Sequence, residues 1–334
     1  MNTSKPIIAI LGSLNVDLVT RTPRIPAAGE TLEALSFNTG HGGKGANQAI
    51  ACARLSRPSK SSATSSSSAQ VDVRMIGAIG KDDAFGGPFL AALEADGLDV
   101  TRVRRLEGQK TGVAVITVEE RTGENRIMFV PGANHSVPRE PLLDGDEDVL
   151  VLQLETPLEV VFLNMQHAKE KGVDVVINPA PAVPLPDDVY AGLDHLIVNE
   201  SEAALLSGKP AEEITPESDL SPVAAEFIEK GVKNVIITLG GAGVFYQTAA
   251  RHEQSQSGSL IPAKKVKVVD TTAAGDTFVG AYAVAVAKSK ASRATGTPFD
   301  IDSAIAFANK AAALTVQKNG AQDAIPWLHE VDDA

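Results

Sequence analysis

Three observations predict an α/β fold: a central, mostly parallel sheet flanked by helices, with a small β-sheet lid. Short apolar runs of strand length alternate with helical patterns over most of the 334 residues, the signature of βαβ units. Several of those runs are followed directly by Gly, Asn or Asp, as expected where strands end in turns. Two segments break the alternation and read as exposed β-structure.

Ile7–Leu11 is uniformly apolar and reads as a buried strand. Residues 17–39 hold Pro23, Pro26 and Gly29 between short alternating stretches, too irregular for a crossover helix. Residues 46–55 form an Ala-rich helical run, and 57–70 a serine-rich, low-complexity stretch that buries too little apolar surface to order itself. It reads as a mobile insertion before a strand at 73–79 and a helix at 84–96. Residues 112–130 read as a hairpin, with strands at 113–118 and 125–130 whose polar–apolar alternation suits a sheet with one exposed face. Strands at 149–154, 173–177, 195–198 and 235–239 then alternate with helices at 158–171, 202–207 and 220–230, and the last third turns helical at 276–288 and 301–317. The expected division is a discontinuous core of 1–16, 40–99 and 132–334, a lid of 17–39 and 100–131, and the insertion 57–70 within the core.

Composition narrows the function. Hydrophobic residues at 43% suffice for a sizeable core, and the net charge of -12 argues against a general nucleic-acid or anionic-membrane binder. A nucleotide still fits, because local N–H groups and magnesium outweigh distant surface charge. The single cysteine, Cys52, excludes an internal disulfide, favours a reducing compartment and reads as a buried structural thiol. No window has the length of a membrane span, the longest apolar candidate being 278–287, and Ile7–Leu11 is too short for a signal-peptide core. A cytoplasmic location is expected, with the nucleus an alternative in a eukaryotic cell.

The most informative stretch is Val269-Asp270-Thr271-Thr272-Ala273-Ala274-Gly275-Asp276-Thr277-Phe278. It runs from a β-branched segment through small residues into an apolar helix. Free N–H groups of a first helical turn, with the positive end of the dipole, suit a phosphate or a developing anion. Asp276 stands where a carboxylate can take a proton from an attacking hydroxyl. Phosphoryl transfer follows as the expected chemistry.

Other motifs are ambiguous alone. Gly40-His41-Gly42-Gly43-Lys44-Gly45 satisfies G-x-G-x-x-G but lacks the preceding βα context of a dinucleotide fold, and Lys44 is not followed by the Ser or Thr of a Walker loop. Asn15 and Asp17, beyond the first strand, suit sugar hydroxyls or a turn. In Asn199-Glu200-Ser201-Glu202, a carboxylate suits water-bound magnesium, while plain helix capping is the alternative. Thr238-Leu239-Gly240-Gly241-Ala242-Gly243 fits a phosphate-lining backbone or a tight hairpin. The six histidines show no zinc-ligand spacing.

These motifs, with Gln153-Leu154-Glu155, Asn178-Pro179-Ala180-Pro181 and Asp270-x-x-Ala273-Ala274-Gly275-Asp276, occur in one order. In that order the chain resembles the PfkB, or ribokinase-like, family of carbohydrate kinases from about Ile7 to Trp327. The resemblance implies ATP, magnesium, a β lid over a sugar, and transfer of the γ-phosphoryl group to the 5-hydroxyl of D-ribose. It implies that Asn15, Asp17, Gly42, Gly43, Lys44, Asn47 and Glu155 hold the sugar with Asp276, the base, and that the Ala273, Ala274 and Gly275 amides form an anion hole. Asn199, Thr238, Gly240, Gly241, Gly243, Gly275 and Asn309 would line the nucleotide site, with Glu202 reaching magnesium through water. A potassium activator would sit among Asp270, Thr272, Thr315, Lys318, Gly320 and Ala324, mainly on carbonyls. Ala324 stands where the family often has a serine hydroxyl. The rivals are another sugar or nucleoside kinase of the family and a sugar-binding regulator without catalysis. A homodimer through the lid is also expected, because a β layer with one apolar face tends to pair with a twin.

Overall fold

The computed structural model describes residues 5–63, 68–292 and 298–334. The first apolar run folds as β1 (Ile7–Leu11). Ile8 and Ile10 enter one hydrophobic layer while Ala9 and Leu11 enter the other, as the two-residue period of a strand requires. A strand apolar on both faces belongs inside a sheet, and β1 has a parallel neighbour on each side.

After β1 the chain leaves this sheet to form β2 (Asn15–Thr22) and β3 (Ser36–Gly42), then returns through α1 (Lys44–Leu55). β4 (Asp72–Gly80), α2 (Gly86–Ala95) and β5 (Asp99–Leu106) follow. β6 (Gly112–Glu119) and β7 (Asn125–Val130) pair antiparallel as the expected hairpin. The alternation resumes with β8 (Val149–Leu152), α3 (Leu158–Lys171), β9 (Asp174–Ile177) and β10 (His195–Asn199). α4 (Glu200–Ser207), α5 (Ser221–Glu229), β11 (Asn234–Thr238) and β12 (Val244–Thr248) come next. α6 (Ala249–Glu253), β13 (Ser259–Ile261), α7 (Ala274–Ser292), α8 (Ile301–Thr315) and α9 (Leu328–Asp332) complete the described elements.

Among the described residues the large sheet has nine strands in the order β13-β12-β11-β10-β9-β8-β1-β4-β5. β5, β4, β1, β8, β9, β10 and β11 pair in parallel in that order, and β12 and β13 add an antiparallel edge. One face is covered by α1, α2, α7 and α8, the other by α3, α4 and α5. The Cys52 thiol is fully buried in the first of these layers and lies 3.5 Å from the Gly280 carbonyl; burial pushes its pKa up, as a structural thiol should behave. No described helix is long and apolar enough to cross a membrane.

The second sheet has four strands, β3-β2-β6-β7, with β2 and β6 parallel. It differs from the expected lid at both ends. Residues 99–106, placed in the lid from residue 100 onward, instead form β5 at the edge of the large sheet. Their charged alternation, Asp-Val-Thr-Arg-Val-Arg-Arg-Leu, is that of an edge strand with only Val100 and Val103 buried, and local pattern does not say which sheet such a strand joins. The lid strands also begin at Asn15 and end at Gly42, inside the segments assigned to the core.

The serine-rich stretch is anchored at its start. Arg57 is buried, bonds the carbonyls of Ala53 (3.0 Å) and Gly97 (2.7 Å), and leads into a short 3-10 turn at Lys60–Ser62. Residues 64–67 of that stretch, and 1–4 at the start of the chain, lie outside the described residues.

Candidate active site

The N-terminus of α7 sits beside the carboxyl ends of the parallel strands, where ligands of open α/β sheets bind. Ala273, just before this helix, has φ 59°. A residue with a Cβ adopts that left-handed conformation at a cost of about 1–2 kcal/mol, which marks a site where backbone direction matters. The turn spends the Ala274 N–H on a long bond to the Thr271 carbonyl, 3.3 Å, while Thr277 N–H bonds the Ala273 carbonyl at 2.8 Å. The N–H groups of Gly275 and Asp276 have no backbone acceptor among the described residues. Of the three amides expected to form the anion hole, Ala274 is thus partly engaged, and the open donors extend one residue further.

Asp276 is 8% exposed and held from two sides. Asn47 Nδ2 donates to one carboxylate oxygen at 2.9 Å and Gln48 Nε2 to the other at 3.0 Å. Both donors come from the first turns of α1, which packs against α7. Gln322 Nε2 donates to Asn47 Oδ1 at 3.2 Å and orients that amide.

The expected sugar residues cluster on the same side. Asn15 and Asp17 are two apart on β2 and share one face of the small sheet. Gly42 lies across from Asn15, and a Cβ there would come within 2.3 Å of the Asp17 carboxylate. Gly43 precedes α1 with φ 87°, a conformation that favours glycine. One oxygen of Glu155 accepts from Ser13 Oγ, from the Lys44 N–H (3.1 Å) and more weakly from Asn15 Nδ2 (3.4 Å). No hydrogen bond to the other oxygen is formed among the described residues, so that oxygen remains an acceptor for a ligand. Asn134, fully buried, donates to Asn15 Oδ1 at 2.7 Å and fixes which end of that amide faces Glu155.

Burial, and then the charge of Glu155, push the Asp17 carboxyl from 3.8 to about 6. A carboxyl whose pKa is raised on folding contributes stability that is complete below the unfolded pKa and is lost as pH rises through the folded one. Asp17→Asn should therefore make the ligand-free protein more stable at pH 8, by up to about 3 kcal/mol, with no advantage at pH 3.5. Urea denaturation at the two pH values checks this; equal stabilities at pH 8 would show that Asp17 is well solvated.

The expected nucleotide residues gather at the ends of β10 and β11. Asn199 and Thr238 are register partners. Asn199 Oδ1 caps α4 through the Glu202 N–H (2.8 Å), and Glu202 returns a bond to the Asn199 N–H (2.9 Å). The capping alternative is therefore realised, and Asn199 Nδ2 donates to no acceptor among the described residues. Gly240 and Gly241 form the turn of the β11–β12 hairpin, with open space where a Cβ would point. A Cβ on Gly243 would meet the Ile261 carbonyl at 2.1 Å, and Asn309 on α8 reaches that same carbonyl at 3.4 Å.

Glu202 has its pKa raised, chiefly by burial, while its bonds to the Asn199 N–H and Asn178 and the nearby Lys44 ammonium oppose the shift. Lys44 thus offers its backbone to the Glu155 side and its charge to the Glu202 side. The loop after α8 meets the segment before α7: Gly320 N–H bonds Asp270 at 2.9 Å, and Asp270 N–H reaches the Val316 carbonyl at 3.2 Å. Asp270 also accepts from the Thr272 hydroxyl (2.6 Å) and N–H (2.9 Å); against the opposing effect of burial, these bonds hold its pKa low. The carbonyls of Asp270, Thr272, Lys318, Gly320 and Ala324 accept no backbone hydrogen bond among the described residues, whereas that of Thr315 accepts from Lys318 N–H at 3.1 Å. The Lys318 ammonium pairs with Glu330. Elsewhere, Asp144, Asp146 and Glu147 gather around the Arg74 guanidinium, and those ion pairs account for the cluster.

Sequence reasoning gave no role to Ser13, Gln48, Asn134, Gln153 or Asn178. One signal was present for Gln48: an amide inside an Ala-rich helix must find partners if it is buried.

The pfkB family carbohydrate kinase profile matches residues 5–328. A ribokinase of Schizosaccharomyces pombe is 44% identical over 333 residues, covering 97% of this chain and 96% of that protein. A deoxyribokinase of Salmonella typhi is 34% identical over 332 residues, covering 98% and 97%. The solved Arabidopsis thaliana ribokinase, complexed with ribose and ATP, superposes with a TM-score of 0.82 at 30% identity and covers 99% of this chain and 98% of that one. With a full-length profile match, close relatives and the same architecture, the chain belongs to the pfkB family of carbohydrate kinases.

Proposed function

We propose that the protein transfers the γ-phosphoryl group of ATP to the 5-hydroxyl of D-ribose, forming ribose 5-phosphate. The observation that carries this reading is the Asp276 carboxylate, gripped by Asn47 and Gln48 beside the open N–H groups of Gly275 and Asp276. Phosphoryl transfer needs in-line positioning and charge neutralisation more than covalent help from the protein. In this reading Asn15, Asp17, Glu155 and the Gly42–Lys44 turn hold the sugar. Asp276 orients the 5-hydroxyl and accepts its proton, while the helix N-terminus stabilises charge on the transferred group. The lid excludes water that would otherwise compete as acceptor.

The nucleotide would lie along Asn199, Thr238 and the Gly240–Gly243 turn, with Asn309 behind it. Glu202 fits an outer-sphere role toward magnesium, because only one of its oxygens is engaged by Asn199 and Asn178. Magnesium, when bound, neutralises the phosphate oxygens. The open carbonyls of Asp270, Thr272, Lys318, Gly320 and Ala324 suit a monovalent cation, with Thr315 the weakest member of the set. A homodimer through the lid is supported by the exposed Phe37, Ile127, Met128 and Val130 on β3 and β7. We place the enzyme in the cytosol.

An ATP-consumption assay across ribose, deoxyribose, fructose, adenosine and keto-deoxygluconate, with and without potassium, tests the reading. Ribose should give the highest kcat/KM, with deoxyribose the nearest competitor, as the relative active on that sugar suggests. Binding of ribose without ATP turnover would reject an enzyme in favour of a regulator. The KM for ribose should also rise as pH falls through about 6, because protonated Asp17 loses an acceptor for a sugar hydroxyl.

A further inference from the structure

Five side chains, of which Gln153, Gln48 and Asp276 are buried and Asn178 and Glu202 half-buried, form a hydrogen-bonded network that runs from behind the proposed base to the proposed magnesium-side carboxylate. Gln153, on the segment after β8, donates from Nε2 to Gln48 Oε1 at 2.6 Å. Gln48 donates from Nε2 to Asp276 Oδ1 at 3.0 Å and to Asn178 Oδ1 at 3.3 Å. Asn178, after β9, donates from Nδ2 to the Ile197 carbonyl at 3.0 Å and to Glu202 Oε2 at 3.4 Å. Gln48 and Gln153 are both fully buried.

The chemistry dictates the direction of the chain. Asp276 is acceptor-only when ionised, so the Gln48 atom facing it must be the amide nitrogen. Both Nε2 hydrogens are then used, and Oε1 is left to face Gln153, whose nitrogen must point back. Reversing any amide would set oxygen against oxygen away from water. Gln153 Oε1 has no hydrogen-bond partner among the described residues and lies against Gly12, where a Cβ would come within 2.0 Å.

We propose that Gln48, backed by Gln153, is a positioning residue for the phosphoryl-transfer step. It fixes the rotation of the Asp276 carboxylate and ties it, through Asn178, to the Glu202 carboxylate. The inference rests on the assignment of Asp276 as base. Asn47 alone holds one oxygen and leaves the carboxylate free to swing about that contact. Gln48 removes the swing and keeps a lone pair aimed at the incoming hydroxyl. Gln48 is fully buried, with its side chain bonded to Asp276, Asn178 and Gln153, so its loss should appear in turnover rather than in binding.

The test compares two variants of similar volume, Gln48→Met and Gln48→Glu, with the wild-type enzyme in ATP-dependent ribose turnover. Gln48→Met should lower kcat about tenfold or more, with the KM values for ribose and ATP within about threefold, and the kcat loss should be equal at pH 6.5 and 8.5. Gln48→Glu should show a loss at least about threefold larger at pH 8.5 than at pH 6.5. A protonated glutamic acid can donate to Asp276 as the amide does, whereas an ionised one repels it. Should Gln48→Met melt before assay, Gln153→Met keeps Gln48 in place and should give a smaller loss confined to kcat. A kcat within twofold of wild type in both Gln48 variants would overturn the proposal. So would parallel changes in kcat and KM with no dependence on pH. Wild-type protein that fails to turn over ribose would instead remove the underlying assignment.

Discussion

Asp276→Asn should lower kcat for ribose by at least about a hundredfold while the protein still folds and ribose binding stays near wild type. The size is that of a lost general base. The substitution conserves shape but exchanges an acceptor for an amide that cannot take the proton. It also leaves Asn47 and Gln48 facing an amide, so the carboxamide must present its oxygen to one donor and its nitrogen to the other. Some loss of melting temperature is expected from that mismatch, because a hydrogen bond to a charged group stabilises by about 1.5–3 kcal/mol. Single-turnover kinetics with ribose and ATP, beside ribose affinity by calorimetry, separate the two effects. A variant that turns over at the wild-type rate would take Asp276 out of the mechanism.

Gly45→Ala should be the most damaging small substitution for the fold of the site. A Cβ on Gly45 would lie 2.5 Å from the Gly12 carbonyl carbon and 2.5 Å from the Ser13 nitrogen. Both are backbone atoms, so no rotamer relieves the clash, and α1 must move off the end of β1. Overpacking typically costs 1–3 kcal/mol, occasionally more; against a rigid peptide unit the expected loss is about 3 kcal/mol. The same shift would break the Ala46 N–H to Ser13 carbonyl bond at 2.9 Å and displace Asn47 from Asp276. Thermal unfolding and the KM for ribose report the two consequences, the latter rising about tenfold or more. Gly87→Ala is the control. It lies in α2 with nothing within 4 Å of the added carbon, so it should hold or raise stability by the usual helix preference for alanine of about 0.5–1 kcal/mol.

Gly45 belongs to a string whose meaning was ambiguous in the sequence. The string from Gly40 to Gly45 reads as a ligand cradle or a structural turn, and at three of its glycines the structure shows a steric or backbone reason. Gly42 makes room for the Asp17 carboxylate, Gly43 supplies a left-handed φ, and Gly45 lets two backbones cross. The motif after β10 behaves similarly. Asn199 caps α4 and Glu202 completes the capping box, while both stay only half-buried at the end of β10. A cap and a ligand-binding residue have the same local chemistry, so no local pattern separates them.

By itself the sequence determined the alternation of strands and helices, the hairpin at 112–130 and the placing of Asp276 at the mouth of an apolar helix. Each follows from short-range periodicity and from residue types that only a few backbone conformations accept. The tertiary structure decided what joins across long separations. It put 99–106 at the edge of the large sheet rather than in the lid. It also brought Gln48 and Gln153, 105 positions apart, into one bond behind the carboxylate of Asp276, 228 positions further along from Gln48. Edge-strand pairing and buried amide partners depend on which surfaces meet once the layers pack, and a side chain's own neighbours in sequence carry no record of that meeting.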